Sequence, residues 1–241
     1  LGDVYKRQLV ICAMLIGSRD IPGAIRWVRE QAASGVEVSA VVEKGKSAFA
    51  GPELKGKTLG VIGMGRIGSG VAKRALAFDM KVIGYDPYIN EERCKDMGVT
   101  VGSFDEVIEK ADFITVHMPL TDTTRNMINK DVMARMKKGV RLVNCARGGI
   151  INEEDLREAV LSGQVAGAAI DVFTSEPIPA DHPLLGVPGL YVTPHLGAST
   201  VEAQIGVAVD VAKGIKAALH GEPVMTAVNM APVSQQVMNV I

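Results

Sequence analysis

The sequence predicts an α/β protein built on a doubly wound parallel sheet, and two observations carry that reading. From about residue 59 to residue 193, short runs rich in β-branched residues alternate with helical patterns, and each crossover between parallel strands needs a covering helix. Within that alternation, the stretch from Leu59 to Asp86 reads as strand, tight turn, helix, strand and terminal acid. That order is the layout of a dinucleotide-binding unit.

The opening unit begins with the apolar run Leu59, Val61 and Ile62, followed by Gly63-Met64-Gly65-Arg66-Ile67-Gly68. Gly63 permits the sharp turn off the strand, Gly65 lets backbone approach a diphosphate, and Gly68 lets the helix pack close to the strand. The helix that opens at Arg66 and Ile67 presents unpaired N–H groups and the positive end of its dipole to that diphosphate. It runs to about Phe78, and a second strand, Val82 to Tyr85, ends on Asp86, 18 positions after Gly68. An acid at that spacing reaches the ribose hydroxyls and repels a 2′-phosphate. Residues 87–90 supply no cation to reverse this, so NAD is favoured over NADP. A tight turn without a ligand has the same letters, and the flanking strands, helix and acid give the motif its weight.

The remaining elements follow in order. Candidate strands are Val99 to Val101, Phe113 to Val116, Val140 to Val143, Ala168 to Ile170 and Leu190 to Thr193. Candidate helices lie near Glu91 to Met97, Phe104 to Lys110, Lys130 to Met136 and Glu153 to Leu161. Before the glycine loop, Leu9 to Ile16 reads as a buried helix and Ile21 to Gln31 as a second, with Pro22 suited to a first turn. Gly35 to Gly56 reads mainly as loop with one short apolar stretch. From Thr200 to Leu219, Ile205, Val209, Ala212 and Ile215 recur at helical spacing, and the tail after Gly221 reads as extended.

Composition narrows the classes. A 241-residue chain with 47% hydrophobic content has ample material for a core, and a formal charge of -1 with mixed signs gives no basic field for nucleic acid and no polybasic membrane patch. Cys12, Cys94 and Cys145 fit no paired or metal-ligand spacing, which points to reduced thiols in the cytoplasm. The four histidines are too scattered for a metal cluster. Lys6-Arg7 and the apolar run to Ile16 lack the cleavage site of a signal peptide and are too short to span a bilayer. Leu1 to Gln8, with no initiator Met, reads as the non-native start of a fragment.

In an open α/β sheet, ligands bind beyond the carboxyl ends of the strands, so the residues following each strand are the candidates for chemistry. Asn144-Cys145-Ala146-Arg147-Gly148-Gly149 follows one strand, Asp171 to Pro177 another, and Thr193-Pro194-His195-Leu196-Gly197 the last. Arg147, Glu176 and His195 therefore converge on the rim that holds the glycine loop. Taken singly they read as a surface ion-pair partner, a loop acid and a structural histidine; their shared location argues for more. Hydride transfer from a hydroxyl-bearing carbon needs a base for the hydroxyl proton, and histidine suits neutral pH. An ionised Glu176 holds that ring, and Arg147 grips a carboxylate through two parallel hydrogen bonds.

With these segments in place, the sequence strongly resembles the NAD-dependent D-isomer-specific 2-hydroxyacid dehydrogenases. The resemblance rests on residues 59–68, 116–120, 143–149, 169–173 and 193–200, and extends from about Leu15 to Asn229. It implies that Arg147 binds the substrate carboxylate, that His195 is the acid/base and that Glu176 is its partner. It further implies that Asp171 contacts the nicotinamide amide, and that His117, Met118, Pro119, Cys145 and Ala146 line the cofactor cleft. Cys145 is read as a small buried residue, not a nucleophile, and His182 and His220 as surface-loop residues. Within the family, 197–204 and 226–229 favour members acting on a phosphorylated 2-hydroxy acid, D-3-phosphoglycerate. Relatives acting on lactate, glyoxylate or hydroxypyruvate, or a non-catalytic NAD-binding corepressor, are the alternatives. The resemblance also implies a homodimer or higher homo-oligomer.

Members of the family carry a flavodoxin-like substrate domain of about a hundred residues before the cofactor domain and return to it at the end. Residues 1–15 are then a remnant of that domain, 16–197 the NAD-binding domain, and 198–241 the return helix and tail. A chain with so little of the second domain is expected to bind NAD, to turn over substrate poorly or not at all, and to expose apolar surface on the 200–219 helix.

Overall fold

Seven parallel strands make one sheet in the order β3-β2-β1-β4-β5-β6-β7 in the computed structural model, which describes residues 4–224 and 227. The strands are β1 (Thr58–Ile62), β2 (Lys81–Tyr85), β3 (Thr100–Val101), β4 (Phe113–Val116), β5 (Val140–Asn144), β6 (Val165–Ile170) and β7 (Leu190–Val192). β1 pairs with β2 on one side and β4 on the other. The chain therefore reverses its direction of travel across the sheet between them, and the crevice at that reversal is where such sheets bind ligands.

Helices cover both faces. α1 (Val4–Ser18), α4 (Arg66–Leu76) and α5 (Glu91–Asp96) lie on one side, with Val10, Met14, Val71, Ala72, Ala75 and Cys94 buried against Leu59, Val61, Val82 and Phe113. On the other side, α6 (Phe104–Lys110), α7 (Lys130–Arg135) and α8 (Glu153–Leu161) bury Val107, Ile108, Met133 and Leu156 against Ile62, Ile114, Val116 and Leu142. Because both faces are covered, the central strands are apolar throughout rather than alternating. Side chains close the helix starts: Ser103 and Glu106 form a reciprocal capping box on α6, and Asn152 accepts from Asp155 N–H at the start of α8.

Several expectations shift. α1 begins at Val4 and is continuous to Ser18, so the polar residues 4–8 belong to the same helix as the apolar run. The division expected after residue 15 falls inside this helix, whose Val10, Ala13 and Met14 sit in the core. The region 35–56 is not mainly loop: α3 (Val38–Gly45) and a 3-10 turn (Lys46–Phe49) follow α2 (Ile21–Ala33). Val38, Val41 and Val42 had the helical spacing, but three β-branched residues in eight weaken that signal, and no residue of α3 is buried.

α9 (Val201–Leu219) is capped by Thr200 and leaves Val201, Ile205, Val207, Val211, Ile215 and Leu219 exposed, as expected for 200–219. Among the described residues no single helix is long and apolar enough to cross a membrane. The 226–229 segment, apart from Ala227, and the rest of the C-terminal tail lie outside the described residues, as do residues 1–3.

Candidate active site

The glycine loop has the geometry its spacing demands. Gly63 has φ 99 and donates to the Tyr85 carbonyl at 2.7 Å; a β-carbon there would stand 2.8 Å from the His117 backbone. A β-carbon at Gly68 would fall on the Gly63 carbonyl, so helix α4 can start this close to β1 only with glycine. At Gly65 the same position meets no atom within 4 Å, leaving the start of α4 open to a ligand. Asp86 ends β2 beside this loop, where its Oδ2 accepts from Met64 N–H at 2.8 Å and its Oδ1 from Tyr88 N–H at 2.9 Å. Open space over the N-terminal amides of a helix, flanked by an exposed Arg66 and a carboxylate at the next strand end, fits the diphosphate and ribose of NAD.

β4 delivers His117, Met118 and Pro119 to the same rim, tied by His117 N–H to the Ile62 carbonyl at 2.7 Å. The His117 ring meets Thr115 Oγ1 through Nε2 at 3.0 Å. Burial, with the nearby charge of Lys6, pushes its pKa down to about 3, so the ring is neutral at physiological pH. β5 delivers Cys145, Ala146 and Arg147, and Asn144 shapes that turn by accepting from Ala146 N–H at 3.0 Å and donating to the Arg147 carbonyl at 2.9 Å. Cys145 is buried, and burial, reinforced by the Asp171 charge, pushes its thiol up to about 12. It has no thiolate character to act as a nucleophile.

Arg147, Glu176 and His195 share one cleft of about 250 Å³ with Leu120, Arg125, Gly148, Val172, Phe173 and Thr174. His195 Nδ1 lies 2.7 Å from Glu176 Oε2, and Glu176 Oε1 accepts from Phe173 N–H at 2.9 Å. Burial acts to raise the Glu176 pKa, but the Phe173 and His195 hydrogen bonds and the charges of His195 and Arg147 outweigh it and hold the carboxyl below its usual value. With Nδ1 engaged, Nε2 of His195 is the nitrogen left for a ligand. His195 has φ 56, a left-handed conformation unusual for a residue with a β-carbon, and strain of that kind gathers at functional sites. Arg147, exposed to solvent, donates from Nη1 to the Ala146 carbonyl at 2.7 Å.

Asp171 takes three donors of the chain on its two oxygens. Oδ1 accepts from Thr193 Oγ1 at 2.6 Å and Leu196 N–H at 2.7 Å, and Oδ2 from Gly197 N–H at 2.9 Å. The carboxylate is 1% exposed and spends itself holding the loop that carries His195.

His182 is a correction: it is 7% exposed, not a surface residue, and its Nε2 lies 3.1 Å from Glu153 Oε2. Glu153 and Arg125 escaped the sequence reading. Glu153 looked like one of three acids in the first turn of α8, a common helix start, and Arg125 sits in a polar turn away from any strand end. His220 is exposed at the end of α9, with Nδ1 2.8 Å from the Lys216 carbonyl. Among the described residues, no group of three or more His, Cys, Asp or Glu could hold a metal ion.

Comparison with known proteins places the chain in a family. Residues 11–197 match the model of the D-isomer specific 2-hydroxyacid dehydrogenase, NAD binding domain. D-3-phosphoglycerate dehydrogenase of Bacillus subtilis (strain 168) is 54% identical over 188 residues, 78% of this chain and 36% of that protein. D-3-phosphoglycerate dehydrogenase of Methanocaldococcus jannaschii is 46% identical over 236 residues, 98% of this chain and 43% of that protein. The NAD-dependent formate dehydrogenase from Staphylococcus aureus in complex with NAD shares the fold with a TM-score of 0.79 at 35% identity, over 92% of this chain and 63% of that one. The chain thus spans less than half the length of these two curated relatives. Its matched span includes the glycine loop, Arg147, Glu176 and His195, and on that match the chain belongs to the D-isomer specific 2-hydroxyacid dehydrogenase family and carries its NAD-binding domain.

Proposed function

We propose that this chain is the cofactor-binding and proton-transferring part of an NAD-dependent dehydrogenase of D-2-hydroxy acids, with D-3-phosphoglycerate as its substrate and 3-phosphohydroxypyruvate as its product, the oxidation that opens serine biosynthesis. The observation that carries this reading is the 2.7 Å pairing of His195 Nδ1 with Glu176 in one cleft with Arg147. The names of the similar enzymes from Bacillus subtilis and Methanocaldococcus jannaschii support the substrate.

Bound NAD supplies the hydride acceptor. Gly63, Gly65, Arg66, Ile67 and Gly68 would hold its diphosphate and Asp86 its ribose, while His117, Met118, Pro119, Cys145 and Ala146 would line the cleft and Asp171 would contact the nicotinamide amide. Arg147 binds the substrate carboxylate and sets the hydroxyl-bearing carbon in place. His195 takes the hydroxyl proton on Nε2, and the ionised Glu176 stabilises the imidazolium that results and holds the ring in its plane. In the reverse direction the same nitrogen returns the proton to the carbonyl oxygen.

The exposed apolar residues Ile25 and Val28 of α2 support homo-oligomerisation, and three unpaired cysteines support a reducing, cytoplasmic setting. Calorimetric titration of the chain with NAD and with NADP, followed by turnover assays with D-3-phosphoglycerate, D-lactate and D-glycerate, tests the proposal. Selective NAD binding is the expected result, with weak or no turnover and phosphoglycerate the preferred substrate in any that is seen. A folded sample that binds neither nucleotide would overturn the whole reading, and preference for an unphosphorylated acid would overturn the substrate.

A further inference from the structure

Outside the cleft, His182 and Glu153 form an enclosed ionisable pair, with side chains 5% and 15% exposed. Glu153 is the first residue of α8, and its carboxylate reaches across to the loop after β6. Oε1 accepts from Thr174 N–H at 2.8 Å and from Thr174 Oγ1 at 3.0 Å, while Oε2 meets His182 Nε2 at 3.1 Å. Leu184 N–H donates to His182 Nδ1 at 3.3 Å, which makes Nε2 the ring nitrogen that carries a proton toward Glu153. The His182 ring stands edge-on to Phe173, with centroids 5.2 Å apart and planes at 78°.

Phe173 links this pair to the cleft. Its ring rests on His182, its N–H holds Glu176 Oε1, and its carbonyl faces the spot where Gly148 has no β-carbon. One residue is therefore fixed by the Glu153 and His182 side on its ring and in turn fixes the carboxylate that meets His195. Withdrawing a carboxylate and an imidazole from water is costly, and apolar residues would fill the same space more cheaply. What the polar pair adds is direction: three donors converge on one carboxylate and leave the 173–176 backbone a single arrangement.

We propose that the His182–Glu153 pair is a positioning unit for the His195–Glu176 dyad, fixing the loop after β6 and, through Phe173, the orientation of the Glu176 carboxylate. The proposal rests on the dehydrogenase reading above for its catalytic consequence, but its geometric part stands apart from it. Outer groups that orient the groups in contact with substrate act through placement, where an error of about an ångström costs on the order of a hundredfold.

The test combines a titration and a rate. Glutamate 13C-carboxyl NMR of the 241-residue chain follows the midpoint of Glu176, assigned from the signal lost in Glu176→Gln. In the native chain that midpoint lies below the usual carboxylate value. His182→Phe removes the donor to Glu153 and is expected to raise it toward the usual value, to leave the NAD dissociation constant within about twofold, and to lower kcat about tenfold with KM little changed. His182→Gln, which restores an N–H donor, is expected to return both midpoint and kcat toward native. Where His182→Phe does not fold, Glu153→Gln gives the readout: it keeps an acceptor for Thr174 but sets a donor against His182 Nε2. An unmoved Glu176 midpoint in a folded variant, or a fall in kcat matched by the loss of folded protein alone, overturns the proposal. A folded native chain that binds neither NAD nor NADP would instead count against the dehydrogenase reading, with the Glu176 titration still deciding the positioning role.

Discussion

Leu196 N–H donates to Asp171 Oδ1 at 2.7 Å, tying the residue that follows His195 to the end of β6. Thr193 Oγ1 and Gly197 N–H complete the grip, so the left-handed backbone of His195 is held between donors that all end on one buried carboxylate. A strained residue persists only where its surroundings determine it, and here Asp171 is that surrounding.

Replacing Asp171 with Asn leaves one acceptor oxygen for three donors and sets an amide N–H against at least one of them. Hydrogen bonds to a charged partner contribute about 1.5–3 kcal/mol, so Asp171→Asn is expected to lower stability by about 2 kcal/mol. Turnover should fall further than stability accounts for, because His195 loses its placement. Chemical denaturation beside steady-state kinetics separates the two. A stable variant with native kcat would show that the loop holds itself.

Gly148 bears on the opposite wall. A β-carbon there would fall on the Phe173 carbonyl and the Thr174 amide, both backbone, so neither can swing aside. Gly148→Ala must therefore part the Arg147 turn from the Glu176 loop, at a cost of about 1–3 kcal/mol for overpacking. The expected signature is a raised KM for the carboxylate substrate together with reduced kcat, since Arg147 and Glu176 both move. Unaltered kinetics in a folded Gly148→Ala would mean that the two loops act independently.

The parts of this architecture that were legible in sequence are those set by local patterns. β4, α6 and α8 begin and end where alternation and capping residues put them, and the glycine loop reveals its strand, turn and helix through backbone demands that only glycine meets. His195, Glu176 and Arg147 stood out as candidates because each follows a strand end, and the structure brings them to one cleft. His182 was misread for the opposite reason: its partner Glu153 lies 29 positions away and no periodicity marks the stretch between Pro177 and Pro188. The donors that claim Asp171 come from the turn after β7, a tertiary pairing that spacing does not encode.

His117 sets a pH dependence with a definite sign. Its folded pKa of about 3, caused first by burial and then by Lys6, lies below the usual histidine value of about 6.5. Between those values the unfolded chain binds a proton that the folded chain does not, so stability is complete above pH 6.5 and declines as pH falls toward 3, by at most about 1.4 kcal/mol per unit. His117→Gln removes this component. Denaturation of both proteins at pH 7.5 and pH 5.5 should show the native chain losing about 1 kcal/mol more than the variant over that interval. Parallel losses would mean that His117 is solvated well enough to protonate in place.

Asp86 couples cofactor choice to the shape of the glycine loop, because the carboxylate expected to meet the ribose also accepts the Met64 N–H. The two contributions separate by substitution. Asp86→Asn keeps an acceptor for Met64 and removes the charge, so NAD affinity should fall only a fewfold while NADP, no longer repelled, gains. Asp86→Ala also frees the Met64 amide and should weaken NAD by about tenfold, or about 1.4 kcal/mol. Calorimetric dissociation constants for both nucleotides with both variants decide the matter. If Asp86→Asn discriminates against NADP as strongly as the native chain, charge is not the source of the preference.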